Sequence, residues 1–429
     1  MRSYRELLRT PEFPAFFAGS ALSVAAGTVA SLALATAVHA ATGSALLSAL
    51  ALFGPSLAQV VGATTLLSAA DRLRPRAVLT GLALFGALGA LLQALPGLPV
   101  AAGFGILAVQ GLAGAVGSGA RPGLLREILP ADGFLLGRSA LTVATGTVQI
   151  CGYAVGGVLV PFLSPRGTLL VGAGLYALAA LVLRCGLGDR PPRALGRPSI
   201  AATRRVNARL WSAAPRRAVY LALWVPNGLI VGCESLFVAH DARHAGLLFA
   251  VAGVGMLVGD VTAGRFLSPR ARARLTAPLR LLLAVPYLVF GFGEGLPTAV
   301  AVAAVLLSSV GFSASLLLQE RLLELTPTEL AGQALGLQSA GLLACQGLAA
   351  LLAGVLAELL SPARAMALLA VASLAVTLVL APRLRPAPAS GPACGRPPRR
   401  MGRGGRGRVR RADQTRSAAI STYWKDPSR

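Results

Sequence analysis

The chain has 429 residues, of which 55% are apolar and only 13% charged, with a mean hydropathy of +0.68. That is more apolar matter than one water-soluble core can hide, so a soluble globular class is excluded. The formal net charge is +24, carried by 39 Arg and the single Lys425 against 16 Asp and Glu, and the place of each charge along the chain decides what it meets.

In chain order, apolar stretches run over 14–38, 45–68, 77–95, 99–120, 139–163, 167–186, 218–238, 244–266, 277–295, 298–318, 332–359 and 363–381. A helix needs about 20 residues to cross ~30 Å of hydrocarbon at ~1.5 Å per residue. Helices are the open-chain solution because every backbone N–H and C=O must be satisfied inside lipid, and the alternation of a barrel strand is missing. The expected fold is an all-α membrane protein with 12 transmembrane helices. The first stretch is too long for the apolar core of a cleaved signal peptide, and further spans follow it.

Arginine gives the orientation. The loops on the side of the N-terminus, with the tail, carry 37 of the 40 basic residues, and the opposite side keeps Arg166, Arg243 and Arg364. By the positive-inside rule both termini face the cytoplasm, and a miscount by one span would scramble the split.

Sliding the chain on itself by 197 residues superposes Glu127 on Glu324, Pro130 on Pro327, Asp132 on Glu329 and Gly62 on Gly259. Gly157-Val158-Leu159 likewise falls on Gly354-Val355-Leu356. The expected organisation is a six-helix bundle over 1–186, a cytoplasmic linker over 187–217, a second six-helix bundle over 218–385 and a basic tail over 386–429, the two bundles being pseudo-repeats. The linker, rich in Arg, Pro and Ala, reads as partly amphipathic and lying on anionic lipid. The tail sets 11 basic residues against Asp413 and Asp426. Its Pro/Gly/Arg composition is that of a disordered segment. It lacks the interleaved aromatics of a nucleic-acid binder, so its expected partner is the anionic inner leaflet and no nucleic acid.

Three local patterns carry a family resemblance. Between spans two and three stands Asp71-Arg72-Leu73-Arg74-Pro75-Arg76; span four holds Gln110-Gly111 followed by Gly114; span five holds Gly152-Tyr153-Ala154-Val155-Gly156-Gly157. With the paired halves, these resemble the major facilitator superfamily over about residues 10 to 385. The loop matches G-x-L-x-D-R-x-G-R-R at Asp71, Arg72 and Arg76, with both glycines replaced. In that family it is implied to latch the two halves together on the cytoplasmic side, and Asp260, Gly264 and Arg265 give a weak echo in the second half. The span-five run resembles the exporters' G-P-x-x-G-G, with Tyr153 where Pro is usual; small residues at Gly152, Gly156 and Gly157 permit the close helix approach a rocking interface needs. Gln110-Gly111 resembles R-x-x-Q-G, but Leu107 stands at the arginine position. The run Arg121–Leu136 resembles the drug, siderophore and macrolide exporter subgroup.

Ionisable groups inside a span are costly, so each asks for a reason. One acid lies well inside, Glu234 in span seven. It reads either as a proton carrier or counter-charge for a cationic substrate, or as an acid reaching the outer interface. Pro226 and Asn227 are expected to break the same helix near its middle. Gln110, Gln149, Asn227, Gln338 and Gln346 are candidates to line a weakly polar cavity, or to hydrogen-bond between helices. The five cysteines are scattered, with no disulfide framework. His240-Asp241-x-x-His244 lacks a third ligand and the glutamate of H-E-x-x-H, and there is no P-loop.

The resemblance implies a secondary transporter in a bacterial inner membrane, a multi-pass monomer without enzymatic activity, cofactor or metal. It implies export of a small hydrophobic or amphipathic molecule by alternating access, with protons as the antiported partner. The rivals are an importer of a small metabolite, and a non-transporting sensor or assembly factor on the same scaffold.

Overall fold

The computed structural model describes residues 4–65, 73–130, 133–191, 200–293, 295–327 and 330–384. These are helical, with no strand among them. The compact unit ends at Arg385, and the tail expected over 386–429 lies outside the described residues, as do 192–199 of the linker.

A short helix α1 (Tyr4–Arg9) precedes α2 (Phe13–Thr42), α3 (Ala45–Thr65), α4 (Pro75–Gln93), α5 (Val100–Ile128) and α6 (Phe134–Gly186). After the linker helix α7 (Ile200–Ser212) come α8 (Ala214–Glu234), the single turn α9 (Phe237–His240), α10 (Ala245–Val261) and α11 (Pro269–Leu282). The last four are α12 (Thr298–Val310), α13 (Ala314–Glu324), α14 (Ala331–Leu359) and α15 (Pro362–Leu380). Start and stop signals are local. Gly43 takes a left-handed conformation (φ 66°) and returns its N–H to the His39 carbonyl to close α2. Ser361 accepts the Arg364 N–H to open α15, with Pro362 in the first turn.

Among the described residues eleven helices are long and apolar enough to cross a membrane, and α6 accounts for the twelfth crossing. Its 53 residues would extend ~80 Å, far beyond one span. The helix is broken at Ser164 (φ 64°, ψ 164°). Packing on α2 shows that the chain reverses there. Along the first arm Gly152 meets Thr28 and Gly156 meets Val29 and Leu32, so positions rise together. Along the second arm Gly172 meets Ala30, Tyr176 meets Gly27 and Leu183 meets Gly19, so one rises as the other falls. The arms are spans five and six, folded as a hairpin against α2.

The 197-residue repeat reappears as packing. The backbone of α3 at Gly62 lies against the Leu112 carbonyl of α5, and that of α10 at Gly259 against the Val310 carbonyl of α12. Equivalent helix pairs thus touch within one residue of the same offset, through glycines that let backbones approach.

Three expectations need correction. Span four does not stop near 120: α5 continues to Ile128, so Arg121 belongs to the helix and not to a loop. Arg280 lies inside span nine, within the 277–295 stretch, and is only 4% exposed, so it is not among the loop arginines with which the 37-to-3 split counted it. Span seven is not interrupted at Pro226 and Asn227; α8 runs through both and ends at Glu234, while Asn227 Nδ2 donates to the Leu223 carbonyl (2.7 Å) and to Ser315 Oγ (2.9 Å). The amide ties α8 to α13 instead of opening the helix.

We call the side where α2 begins the terminal face and the other the far face. Buried apolar residues of the first and last six spans join in one cluster that includes Leu32, Val38, Phe237, Phe249, Tyr287 and Met366. Towards the terminal face the clusters separate, one around Phe13, Phe16 and Leu124 and one around Tyr220, Leu223 and Leu322. The amphipathic linker helix packs on the protein: Leu210 is fully buried, and Trp211 stacks on Trp224 of α8 with ring centroids 5.4 Å apart.

At the terminal face, Arg190 binds Glu12 (2.5 Å) and Glu127 (3.6 Å), and Glu12 also accepts the Gly188 N–H. Partial burial pushes the Glu12 carboxyl up, but the Arg190 and Gly188 hydrogen bonds and the Arg190 charge outweigh it and hold it below its ordinary value. A depressed carboxyl stabilises the fold above its unfolded-state value and loses that contribution as pH falls through the folded one. Glu12→Gln is therefore expected to lower the melting temperature of the purified protein at pH 7, with the difference shrinking as the pH falls below about 4. An equal deficit at both pH values would mean that the glutamate acts by packing.

Candidate functional site

A cavity of about 480 Å³ lies among the first six spans. Ser20, Arg121 and Leu183 line it towards the terminal face, and Leu52, Leu107 and Tyr153 at depth. Of the amides picked out in the sequence, Gln110 and Gln149 line it. Asn227, Gln338 and Gln346 are not among its lining residues. Asn227 and Gln338 are buried in the second half, where the Gln338 carbonyl accepts from Trp224 Nε1 (2.8 Å).

Glu234 is 5% exposed at the end of α8, which removes the outer-interface option for this acid. Its Oε1 has no hydrogen-bond partner among the described residues. Tyr153, from the cavity wall, and Tyr287, from the second half, lie within electrostatic reach of it. The side chains of Gln149 and Ser31, both on the cavity wall, lie near the Tyr153 hydroxyl. A line of polar groups thus runs from the cavity through Tyr153 towards a buried carboxylate of the other half.

The far end is shut by contacts between the halves. An ideal Cβ built on Gly157 would fall 2.6 Å from the Gly246 Cα of α10, so the two backbones touch. Tyr153 stacks on Phe249 one turn away, centroids 4.4 Å apart. The three glycines of the span-five motif therefore divide: Gly152 and Gly156 seat the arm on α2, and Gly157 faces the other half. Across the same end, Glu358 of α14 accepts Ser44 Oγ (2.6 Å) and the Leu46 N–H (3.2 Å) at the start of α3. A carboxylate at a helix N-terminus satisfies free N–H groups and meets the positive end of the helix dipole. The sequence reading missed Glu358; its signal was an acid at the very end of span eleven.

The latch-loop residues stay within their own half. Arg76 donates to the Leu187 carbonyl (3.1 Å) and Arg74 pairs with Asp189 (2.8 Å). Asp71, Arg72 and the Arg265 side chain lie outside the described residues. Asp260 is exposed at the end of α10, ahead of a π-helical turn over Thr262–Phe266. In that second loop the stitching falls to Arg272, which the sequence reading passed over: it reaches the Gly264 carbonyl (2.6 Å), the Leu267 carbonyl (3.1 Å) and Glu320 (2.7 Å).

The His240-Asp241-x-x-His244 segment serves the loop. Asp241 accepts His244 Nδ1 (2.7 Å) and the backbone N–H groups of Arg243 and His244, and His240 packs edge-on against Phe290. Among the described residues no three His, Cys, Asp or Glu side chains gather as a metal site would require.

A family model described as Major Facilitator Superfamily matches residues 15–319. No curated relative matches the chain's sequence. Among solved structures, the chain is similar to the nucleoside transporter NupG, with a TM-score of 0.69 and 12% identity over 88% of this chain and 100% of that one. It is also similar to a POT family transporter in complex with 5-aminolevulinic acid, with a TM-score of 0.69 and 10% identity over 86% and 95%. A POT family transporter in complex with a thioalcohol-conjugated peptide gives a TM-score of 0.67 and 10% identity over 87% and 96%. At such identities the likeness is one of fold.

Proposed function

The chain belongs to the major facilitator superfamily, and on that premise we propose that it is a secondary transporter of a bacterial inner membrane. It exports a small amphipathic molecule by alternating access, in exchange for protons. The observation that carries this reading is the cavity, closed at the far end by the Gly157–Gly246 and Ser44–Glu358 contacts while the apolar clusters of the two halves stand apart at the terminal face. The arginine asymmetry makes the terminal face cytoplasmic. The conformation is then inward-facing, with the cavity ready to load from the cytoplasm.

The mixed lining suits an amphipathic cargo: Gln59, Gln110, Gln149 and the serines of α2 offer hydrogen bonds, and Leu79, Leu107 and Phe85 offer apolar surface. Glu234 is the coupling group. Tyr153 connects it to the cavity, so proton loading at Glu234 and substrate occupancy share one wall. Outward direction draws on the span-five glycines. The basic linker and tail hold the cytoplasmic side to anionic lipid.

A second reading, uptake of a polar metabolite, is favoured by the solved relatives, one a nucleoside transporter and another bound to 5-aminolevulinic acid. The test is accumulation of lipophilic dyes and antibiotics in efflux-deficient cells, with and without a protonophore. Export predicts lowered accumulation that the protonophore restores. Raised uptake of nucleosides or small peptides supports the importer. No change for any compound, despite confirmed membrane insertion, points to a sensor or assembly role.

A further inference from the structure

The sequence reading left Arg121 in a loop, as the first residue of the exporter-like run Arg121–Leu136. The structure sets it on α5 about two turns before Ile128, within a membrane-spanning helix and open to the cavity. It is the one cation among the cavity's lining residues, and no Asp or Glu is among them. Three other arginines of the first half are engaged: Arg74 with Asp189, Arg76 with the Leu187 carbonyl, Arg190 with Glu12 and Glu127. Arg121 makes no hydrogen bond or ion pair to a described residue; Tyr176, also on the cavity wall, lies within electrostatic reach of it.

Tyr176 is seated deliberately. A Cβ on Gly86 would come within 2.8 Å of its ring, and one on Gly27 within 2.9 Å of its hydroxyl oxygen. Glycines on α2 and α4 clear the space in which the phenol stands, on the same cavity wall as the guanidinium. A guanidinium that opens into a cavity from a spanning helix attracts an anion there, and its planar fork matches a carboxylate. The protein supplies no such anion here.

We propose that the cavity takes an amphipathic organic anion, its carboxylate or like group held by Arg121 and the Tyr176 hydroxyl, its apolar body directed inward along Leu82, Phe85 and Leu107. This rests on the reading of the cavity as the substrate site, and it gives the amphipathic cargo a negative charge. An anionic lipid headgroup offers the same chemistry, so the test is run in two bilayers.

Full-length protein is placed in nanodiscs of phosphatidylcholine, and binding of 1-naphthaleneacetate, 1-naphthaleneacetamide and 1-naphthylmethylamine is measured by calorimetry. These probes share one apolar body and differ in charge. The acetate is expected to bind at least tenfold more tightly than the amide, and the amine more weakly than either. Arg121→Gln should bring the acetate down to the amide's affinity, Arg121→Lys should keep the preference, and Tyr176→Phe should weaken the acetate a few-fold. Retention of the acetate by Arg121→Lys shows that the site is folded. If phosphatidylglycerol nanodiscs abolish acetate binding, the headgroup is the resident anion and a free substrate anion is refuted. Equal affinities for acetate and amide in the wild type, a preference that survives Arg121→Gln, or no binding of any probe would each overturn the proposal. Export fails separately: acetate binding that depends on Arg121 without efflux of any compound keeps the anion site and removes the exporter, and efflux of neutral dyes without anion preference does the reverse.

Discussion

Gly246→Val is expected to cut transport at least tenfold while the protein still reaches the membrane. Gly157 and Gly246 meet backbone to backbone, so an added side chain finds no rotamer that avoids the partner and the helices must move apart. The contact lies at the far end, where it closes the cavity, so the cost falls on the inward-facing state and not on the opposite one. A difference of a few kcal/mol between two states is enough to invert their populations. The variant should therefore rest with its far end open. Ser31→Cys on the cavity wall, in a background without other cysteines, reports this through an impermeant maleimide added from the far side: labelling should be slow in the parent and fast with Gly246→Val. Gly174→Ala, where a Cβ meets nothing within 4 Å, is the control and should transport normally. Parent-like labelling with Gly246→Val would show that this contact does not close the gate.

The sequence carried the number of spans, their order and the repeat, because hydrocarbon thickness and backbone satisfaction leave few alternatives for apolar runs of this length. It also carried the span-five glycines, since small residues at that spacing matter only where helices approach closely. Which neighbour each glycine meets was not legible: Gly156 and Gly157 are adjacent in the chain, yet one faces α2 and the other α10. Arg121 was hidden because the apolar run stops at that charge, while the helix simply continues past it. Ser164 shows the converse. The Pro161 to Gly167 stretch marks a turn in the sequence, while hydrogen bonding alone runs straight through the fold-back. Glu358 and Arg272 escaped because an acid or arginine at a helix end is ordinary until its partner, distant in sequence, is known.

The second large effect is expected at Glu234. Its side chain is buried, Oε1 has no partner, and the groups that feel it are two tyrosines and Cys233, none of which brings a positive charge. A structural carboxylate in a membrane protein is normally paired, because leaving the charge alone in a low-dielectric surrounding is costly. Glu234 therefore has reason to hold a proton for most of the cycle and to release it only when the path through Tyr153 opens to water. Glu234→Gln mimics the protonated state in shape and polarity. It should fold with an unchanged or raised melting temperature, bind substrate, and exchange substrate down a gradient, while proton-driven accumulation in proteoliposomes falls more than tenfold. Glu234→Asp keeps an ionisable group on a shorter side chain and should retain part of the uphill activity. A buried acid that served packing alone would give the opposite pattern, with aspartate the more damaging change and glutamine harmless to pumping. If Glu234→Gln pumps as well as the parent, the proton is carried elsewhere. Asp260, at the exposed end of α10, is then the next acid to change, because it sits on a spanning helix of the second half and neither pairs with an arginine nor caps another helix among the described residues.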